Sequence, residues 1–475
     1  MRFTATPPLR LAADHLSDIS PQQINAFQLG DIIVTVSRFL FKILIRRDLF
    51  MSSATVMDKR RPPLGFRGYA AIVMAVLLSF AYGLQMYATV PAFGILQDEF
   101  SLDLTQIGLL VSIWFLGYAV AHVPAGFAAA AWGIKRVAVW GAFALVISTF
   151  LFVIAESYTM MVISRGLGGL AMSFMAGAAF PLATAWAPPQ HARLVVGGLV
   201  NGVGFTGGSA LGLYLWTILI DSYGWRQSTL IAGVVSLVIA IAAVFFVKTP
   251  DYVKGLDGGH FSWESTGEVF RSRSIWAIGI GSVCGYGALF TVSQLGPGYV
   301  ESEFGFSAES AGLLGALMLI LGIPAALVSG VIADRARSFL PTLWVPAGLL
   351  VLLLLVLPFI GGSALWVVLP LIGILGSMYF SPATVAHAEY PDEISPQNYS
   401  TAFGLVLSLG NVGAFVFPYV YSVSAGYVGE RWGWMVLGAI SAVAWFGFFF
   451  AKEPRGGKQK KITIVDSAPA PKTSQ

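Results

Sequence analysis

Twelve long apolar stretches recur along this chain, separated by charged residues, proline and glycine. Each is close to the roughly 20 residues that a helix needs to cross the hydrocarbon core of a bilayer. Only 11% of the residues are charged and 56% are hydrophobic, whereas a soluble domain carries roughly 25% charged residues. Because a soluble core could not bury this much apolar surface, we predict an all-α membrane protein with twelve transmembrane helices.

The predicted spans form two groups of six on either side of a polar segment at 249–273. The first group lies near 69–93, 105–130, 137–155, 159–186, 194–220 and 227–247. The second group lies near 275–298, 309–333, 340–361, 365–388, 399–424 and 432–451. The sequence thus predicts an N-terminal extension at 1–67, a six-helix bundle at 68–248, a central loop at 249–273, a second bundle at 274–452 and a disordered tail at 453–475.

Basic residues flank the predicted spans almost entirely on one side of the membrane. On the opposite side only Arg226 and Arg431 are found. Cytoplasmic loops carry the excess of lysine and arginine, so we expect both termini, the central loop and the tail to be cytoplasmic, in a bacterial inner membrane. This placement also accounts for the formal net charge of +4 without a nucleic-acid partner.

The first 50 residues fit the span pattern less well. Residues 31–50 are apolar but carry four basic side chains. One interpretation is a helix lying in the membrane interface. The other is that translation starts at Met51 or Met57 and that the preceding segment is dispensable.

Few side chains suit catalysis or metal binding. With Cys284 as its one cysteine, the chain has neither a disulfide framework nor a cysteine metal site. The only local group of acidic residues and histidine, around His387 and Glu393, is interpreted as a solvated loop. We therefore expect no enzymatic activity, no metal and no cofactor.

The two groups of spans repeat each other at a constant offset of 204 residues. Because six spans is an even number, both copies enter the membrane in the same direction, and such parallel repeats leave a seam between two halves where a substrate can bind. The matching pairs include Tyr82-Gly83 with Tyr286-Gly287, Gly108-Leu109-Leu110 with Gly312-Leu313-Leu314, Gly169 with Gly373, and Lys248 with Lys452.

The loop after span two resembles the signature of the major facilitator superfamily, Gly-x-x-x-Asp-Arg-x-Gly-basic-basic. It runs from Gly126 through Gly133 to Lys135 and Arg136, with alanine at the acidic and first basic positions. The resemblance extends over residues 68–455 and implies that family's fold of two six-helix bundles related by a pseudo-twofold axis. It also implies a small-molecule substrate, and we expect a monomer in the lipid bilayer.

A second copy of the signature follows span eight. It begins at Gly330 and keeps Asp334 and Arg335 but lacks the second glycine. In the family this aspartate lies beside a helix end of the other half and helps to latch the outward-facing state. The resemblance therefore implies that Asp334 and Arg335 form the latch here and that the latch of the first half is weakened.

Span two presents a polar and aromatic face. Trp114, Tyr118 and His122 follow one another at intervals of four residues. A histidine exchanges protons near neutral pH and could bind substrate or couple transport to protons. The alternative is a neutral histidine hydrogen-bonded to a neighbouring helix.

Arg165 lies about two turns inside span four. A charge inside a membrane is costly and marks a functional candidate. Its partner could be an anionic substrate, a backbone carbonyl or Glu156, and the alternative is that the side chain extends to the membrane surface. Five further residues complete the predicted substrate-binding set, namely Gln85, Asn201, Tyr286, Gln294 and Asn411.

From these features we predict a secondary transporter of a small organic solute. The favoured version is uptake of a small organic anion together with protons. One alternative is the export of a lipophilic or drug-like compound. The other is a related protein that no longer transports and serves as a sensor or assembly partner.

Overall fold

The computed structural model describes residues 64–188, 194–250, 263–336, 338–394 and 399–454. Within these ranges the chain forms helices and no strands, and twelve of the helices are long and apolar enough to cross a membrane. The twelve predicted spans are thereby confirmed. The predictions for residues 31–50, Met51 and Met57, and for most of the tail at 453–475, lie outside the described residues.

The spanning helices are numbered in chain order. They are α1 (Phe66–Tyr87), α2 (Leu104–Trp132), α3 (Ile134–Val153), α4 (Tyr158–Trp186), α5 (Gly207–Tyr223), α6 (Trp225–Phe246), α7 (Arg273–Phe304), α8 (Ala308–Arg335), α9 (Pro341–Val356), α10 (Leu365–Val385), α11 (Tyr399–Val428) and α12 (Glu430–Trp445).

Shorter elements connect or extend these helices. A 3-10 turn at Val90–Ala92 and a helix at Phe93–Phe100 follow α1, so the first apolar run is broken near Pro91 rather than continuous to residue 93. Leu194–Thr206 is wound as a π-helix that leads into α5. The central loop holds a helix at Trp263–Arg271. The remaining 3-10 turns are Leu357–Phe359, Gly362–Ala364, Ala386–Glu389 and Phe446–Phe450.

Local sequence explains where several helices begin and end. Asp103 starts α2 by accepting a hydrogen bond from the Gln106 backbone N–H at 2.7 Å, and its own N–H donates to the Gln106 side chain at 2.9 Å. This reciprocal pair satisfies two donors at the start of the helix. Gly133 separates α2 from α3 at a φ of 86°, in the left-handed region that glycine adopts readily.

The repeat is visible in the packing of the helices. A Cβ atom on Gly169 of α4 would lie 1.9 Å from the Trp114 carbonyl oxygen of α2. At the equivalent crossing of α8 and α10, a Cβ on Gly373 would lie 2.0 Å from the Met318 carbonyl oxygen. The same pairs of positions, 204 residues apart, thus bring backbones into direct contact in both halves.

A pair of hydrogen bonds follows the same offset. The indole N–H of Trp186 donates to the Lys248 carbonyl oxygen at 2.6 Å. The hydroxyl of Tyr390 donates to the Lys452 carbonyl oxygen at 2.8 Å. Each bond joins the last residues of a half to a residue at or just after the end of the fourth spanning helix of that half.

Because twelve helices alternate in direction, both described ends of the chain lie on one side of the bundle, here called the termini side, and the other is the far side. On the termini side, the Glu393 carboxylate accepts hydrogen bonds from the hydroxyls of Ser272 at 2.6 Å and Ser274 at 2.8 Å. Burial alone would raise the pKa of Glu393, but these bonds hold it below its usual value. The contact therefore stabilises the fold at neutral pH and is lost in acid, as the pH falls through that lowered pKa.

Glu393 thus differs from the solvated loop that the sequence suggested. Its neighbour Asp392 is exposed, as expected. The carboxylate of Glu453 has a similar structural role, because it accepts hydrogen bonds from the backbone N–H groups of Phe339 and Leu340 at the start of α9. Acidic side chains at helix N-termini are favourable there because they satisfy free N–H donors.

The seam between the halves is formed by α2 against α11 and by α5 against α8. On the far side Gly108 of α2 packs against Ser422 and the Pro418 carbonyl oxygen of α11. The equivalent Gly312 of α8 packs against the Leu213 carbonyl oxygen of α5. The two contacts exchange places under the repeat, as a pseudo-twofold axis requires.

The termini side of the seam is more open. A Cβ atom built on Gly126 of α2, on Gly197 before α5 or on Gly404 of α11 meets no atom within 4 Å. The halves therefore pack directly at Gly108 and Gly312 on the far side, whereas these three glycines on the termini side make no such contact. Contact on one side is expected in one of the two end states of a rocking pair of bundles.

Gly169→Ala should destabilise the protein by about 1–3 kcal/mol, the usual cost of overpacking, because the added Cβ collides with backbone. Thermal melting of the purified full-length protein measures the loss. Gly166→Ala is the matched control in the same helix, since its Cβ would meet only Ile113 at 3.5 Å. Equal melting temperatures for the two variants would contradict the helix crossing described here.

Candidate functional site

Aromatic rings from both halves meet in the centre of the seam. Phe115 of α2 and Phe290 of α7 have ring centroids 4.8 Å apart. Tyr286 of α7 lies 5.8 Å from Phe290 and 5.0 Å from Phe380 of α10. We call these four residues, together with Tyr82 and Tyr118, the central aromatic cluster.

Three tyrosines of this cluster are neighbours. Tyr118 lies near Tyr82 in its own half and near Tyr286 in the other half. All three side chains are buried. The cluster thus combines flat apolar surfaces with hydroxyl groups, a combination found in sites that bind small organic molecules.

His122 extends the cluster towards the termini side. Its ring centroid lies 5.1 Å from that of Tyr118. The side chain is half-buried, and its Nδ1 atom has no hydrogen-bond partner among the described residues. A buried polar atom without a partner is uncommon and makes His122 available to a ligand or a proton.

Arg165 is the one charged side chain among the described residues that is fully buried, with 2% of its surface exposed. Its guanidinium donates to the carbonyl oxygen of Leu110 at 3.2 Å, to that of Met86 at 3.3 Å and to the Thr89 hydroxyl at 3.1 Å. It also lies over the Trp114 ring, 4.5 Å from the centroid. No described carboxylate pairs with it.

These contacts connect Arg165 to the end of α1. Met86 is next to the last residue of that helix, where carbonyl oxygens have no partner within the helix. Of the partners that the sequence suggested for Arg165, backbone carbonyls are the ones in contact. The guanidinium therefore binds the α1 terminus rather than reaching the membrane surface.

The terminus that Arg165 binds also reaches across the seam. The hydroxyl of Tyr87, the last residue of α1, forms a 2.7 Å hydrogen bond with the Ser293 hydroxyl of α7. Both side chains are buried. This bond joins the halves on the far side of the central aromatic cluster, and neither residue was among the sequence candidates.

Other predicted site residues bond within their own half. The Trp114 indole donates to the sulfur of Met172 at 3.2 Å, and the Gln85 amide donates to the Ser236 hydroxyl at 2.8 Å. The Asn411 amide donates to a backbone carbonyl one turn earlier in α11, at 2.8 Å.

Asn201 and Gln294 differ from these residues. Asn201 is half-buried within the π-helix before α5, and its backbone carbonyl oxygen accepts a hydrogen bond from the Thr206 hydroxyl at 3.3 Å. Gln294 is buried, yet neither its amide nitrogen nor its amide oxygen has a partner among the described residues.

The two loops that resemble the family signature, which are predicted to gate the transporter, lie on the termini side. Among the described residues, Lys135, Arg136 and Arg335 form no ion pair, and Arg335 is exposed. The side chain of Asp334 lies outside the described residues. The latch therefore stays a prediction.

Sequence comparison agrees with the architecture. A family model described as Major Facilitator Superfamily matches residues 75–418. The chain is 26% identical over 287 residues to the probable sulfoacetate transporter SauU of Cupriavidus necator, covering 55% of this chain and 64% of the relative. It is 22% identical over 319 residues to the galacturonate transporter of Dickeya chrysanthemi, covering 63% of this chain and 89% of the relative.

Solved structures share the fold. A bacterial homologue of the human lysosomal transporter Spinster, inward-facing and unoccupied, superposes with a TM-score of 0.68 at 13% identity, covering 81% of this chain and 96% of that chain. The nucleoside transporter NupG superposes with a TM-score of 0.66 at 15% identity, covering 80% of this chain and 99% of that chain.

Tyr87→Phe should weaken the closure of the far side, because it removes the hydrogen bond to Ser293. A net loss of about 1 kcal/mol would raise the ratio of far-side-open to far-side-closed molecules roughly fivefold. Spin labels at Tyr223→Cys and Glu303→Cys, one in each half, report the separation by pulsed electron resonance. A Cys284→Ser background leaves no native thiol.

Tyr158→Phe is the matched control for that experiment. The Tyr158 hydroxyl donates to the Gln106 carbonyl oxygen at 3.1 Å, a bond that stays within the first half. Its removal should leave the distance distribution unchanged. An unchanged distribution in Tyr87→Phe as well would show that the Tyr87 bond does not hold the halves together.

Proposed function

The chain belongs to the major facilitator superfamily, a family of membrane transporters rather than enzymes, and on that premise we propose that it carries a small organic acid across a bacterial inner membrane together with protons. The halves would rock about the central aromatic cluster and expose it to each side in turn. Both termini would be cytoplasmic, so the termini side would be the cytoplasmic side.

The buried charge of Arg165 is the observation that supports an acidic substrate. Guanidinium stays protonated at any physiological pH, and no described carboxylate compensates it. Its described partners are neutral carbonyl and hydroxyl oxygens and an aromatic ring. In a low-dielectric interior this uncompensated charge makes the centre of the bundle favourable for an anion.

The names of the relatives support the same class of substrate. They include transporters of sulfoacetate, galacturonate and hexuronate, all of them organic acids. The relatives are distant, and the chain covers 64% of the length of the SauU relative. A carboxylate or sulfonate on a small polar molecule is therefore the class proposed here, and the particular acid is to be found by assay.

Four of the site residues have proposed roles in binding. The hydroxyls of Tyr118 and Tyr286 would donate to the substrate from opposite halves, so that both halves contact it. Asn201 would add an amide at the edge of the site. Arg165 is a positioning residue that acts through its field and through Tyr87 without touching the substrate.

Uptake into proteoliposomes tests the substrate class. Galacturonate and sulfoacetate are offered as acids and galactose as the uncharged comparison, and saturable uptake of an acid alone is expected. Arg165→Gln should lower that uptake about tenfold or more, because two unit charges about 10 Å apart interact by about 1.7 kcal/mol at an effective dielectric constant near 20.

Two controls separate charge from folding. Arg165→Lys keeps the charge and should retain more uptake than Arg165→Gln at equal melting temperature. Arg271→Gln removes an exposed arginine and should change neither quantity. Preferred movement of lipophilic compounds would instead favour an exporter, and binding of acids without any flux would favour a sensor.

Proton coupling is assigned to His122. A protonated imidazole beside the site adds positive charge for an anion and returns the proton on the other side. Uptake by the wild-type protein should rise as the pH falls from about 8 to about 5, and His122→Gln should remove that rise. Tyr118→Phe, which keeps the ring beside His122, should keep the pH dependence. An unchanged pH profile in His122→Gln would remove the histidine from the coupling.

A further inference from the structure

A cavity separate from the central aromatic cluster opens on the far side, with a volume of about 820 Å³. Both halves line it. The first half contributes the segment after α1 and the end of α5, and the second contributes the end of α7 and the starts of α8 and α12. Its size is within the range of sites that hold small organic molecules.

The charged side chains that line this cavity are all acidic. Its lining includes Asp98 and Asp221 from the first half and Glu301, Glu309 and Glu430 from the second, with no lysine, arginine or histidine among the lining residues.

Of the two far-side arginines, only one lies beside the cavity. Arg226 pairs with Glu99 at 2.5 Å. Arg431 interacts with Tyr299 of the cavity wall, and its guanidinium lies 5.7 Å from the centroid of the Phe304 ring. The five lining carboxylates therefore outnumber the one arginine beside them.

Buried polar groups without partners face the same cavity. Gln294 and Tyr421 line it, each with 1% of its surface exposed. Neither amide atom of Gln294 nor the Tyr421 hydroxyl has a hydrogen-bond partner among the described residues. Native proteins seldom leave such groups unsatisfied, so their position at a cavity wall points to a polar ligand.

The wall also has apolar surface, to which Ile107, Leu295 and Pro297 contribute, and further polar groups from Gln97, Thr217, Ser302 and Ser307. A bare metal ion does not suit this arrangement, because no three acidic or histidine side chains of the described residues converge closely enough to hold one. An anion is disfavoured by five carboxylates.

We propose that the far-side cavity is a second binding site, for an amphiphilic organic ammonium ion. The ammonium group binds between carboxylates of the two halves, such as Asp98 and Glu301. The hydrocarbon part packs against the apolar wall, and a polar group on the ligand pairs with Gln294 or Tyr421. This site is distinct in position and in charge from the proposed site for an acid.

The ligand controls the transport cycle because it contacts both halves. It binds only while the far ends are together, so it stabilises the far-side-closed state and opposes opening. Occupancy of the cavity thus inhibits transport from the far side without competing for the central site.

Binding is tested on the purified full-length protein with no transport substrate present. The probe is 4-phenylbutylammonium, and the matched uncharged probe is 4-phenylbutan-1-ol. The ammonium ion should raise the melting temperature in a saturable way, since a ligand specific for the folded state stabilises it. The alcohol should not. Equal stabilisation by both probes would overturn the proposal, because it would reflect partition into apolar surface.

Variants locate the site. Glu301→Gln and Glu430→Gln should each weaken the apparent affinity roughly tenfold, as expected for the loss of one hydrogen bond to a charged group. Glu303→Gln is the matched control, an exposed far-side glutamate that does not line the cavity. Wild-type affinity in both Glu301→Gln and Glu430→Gln would overturn the proposal.

Gln294→Leu tests the buried amide in the same assay and should also weaken binding. If this core variant folds poorly, the two rim glutamate variants still decide the outcome. Binding of the ammonium probe is measured by melting temperature, without any transport. A missing acid substrate would show only in the uptake assay, and a missing ammonium site would show only in the melting assay. With the labels at Tyr223→Cys and Glu303→Cys, the ammonium probe should also shift the halves towards the closed distance.

Discussion

The direct contact of helix backbones at glycine is the constraint on which this structure depends. Within a bilayer, apolar side chains gain little by leaving lipid for a neighbouring helix, so close packing and interhelical hydrogen bonds must hold the bundle together. Gly169 and Gly373 provide that closeness at equivalent crossings inside the two halves. Each half is thereby a tightly packed unit.

The seam between halves has a different character, because its far-side contacts coexist with open glycine faces on the termini side. Tight units joined by a partial seam are what a rocking movement requires.

The spans and the repeat could be predicted because both depend only on the order of the residues. Hydropathy determines which segments cross the membrane. A repeat without gaps is recognised because identical residues recur at one constant offset. The end of α1 could not be found in this way, since the apolar run continues to Phe93 while the helix stops at Tyr87. That stop leaves the carbonyl of Met86 free for Arg165. The partner of the arginine and the bond from Tyr87 to Ser293 therefore depended on a helix end that composition does not mark.

The angular position of side chains around a helix axis also limited the prediction of the site. Their spacing of four residues predicts that Trp114, Tyr118 and His122 share one face of the helix. At 3.6 residues per turn, eight residues leave the first and last side chains about 80° apart. Accordingly Tyr118 and His122 are adjacent at the seam, whereas the Trp114 indole bonds to Met172 inside the first half. Tyr82 was overlooked as a site residue although it matches Tyr286 in the repeat, and that match was the signal that could have found it.

The two proposals together describe a pathway whose charge changes sign with depth. Carboxylates line the far-side cavity, and Arg165 lies buried beyond it. Asp98, Asp221 and Glu309 are exposed, so salt screens their fields within a Debye length of about 8 Å at physiological ionic strength. The field of a buried arginine is screened far less.

For an acid arriving from the far side, ionic strength consequently changes the rate of approach, which depends on the outer carboxylates, more than it changes occupancy of the central site. An organic ammonium ion bound in the cavity neutralises the same carboxylates, but it also joins the halves, so its effect on closure opposes its effect on approach.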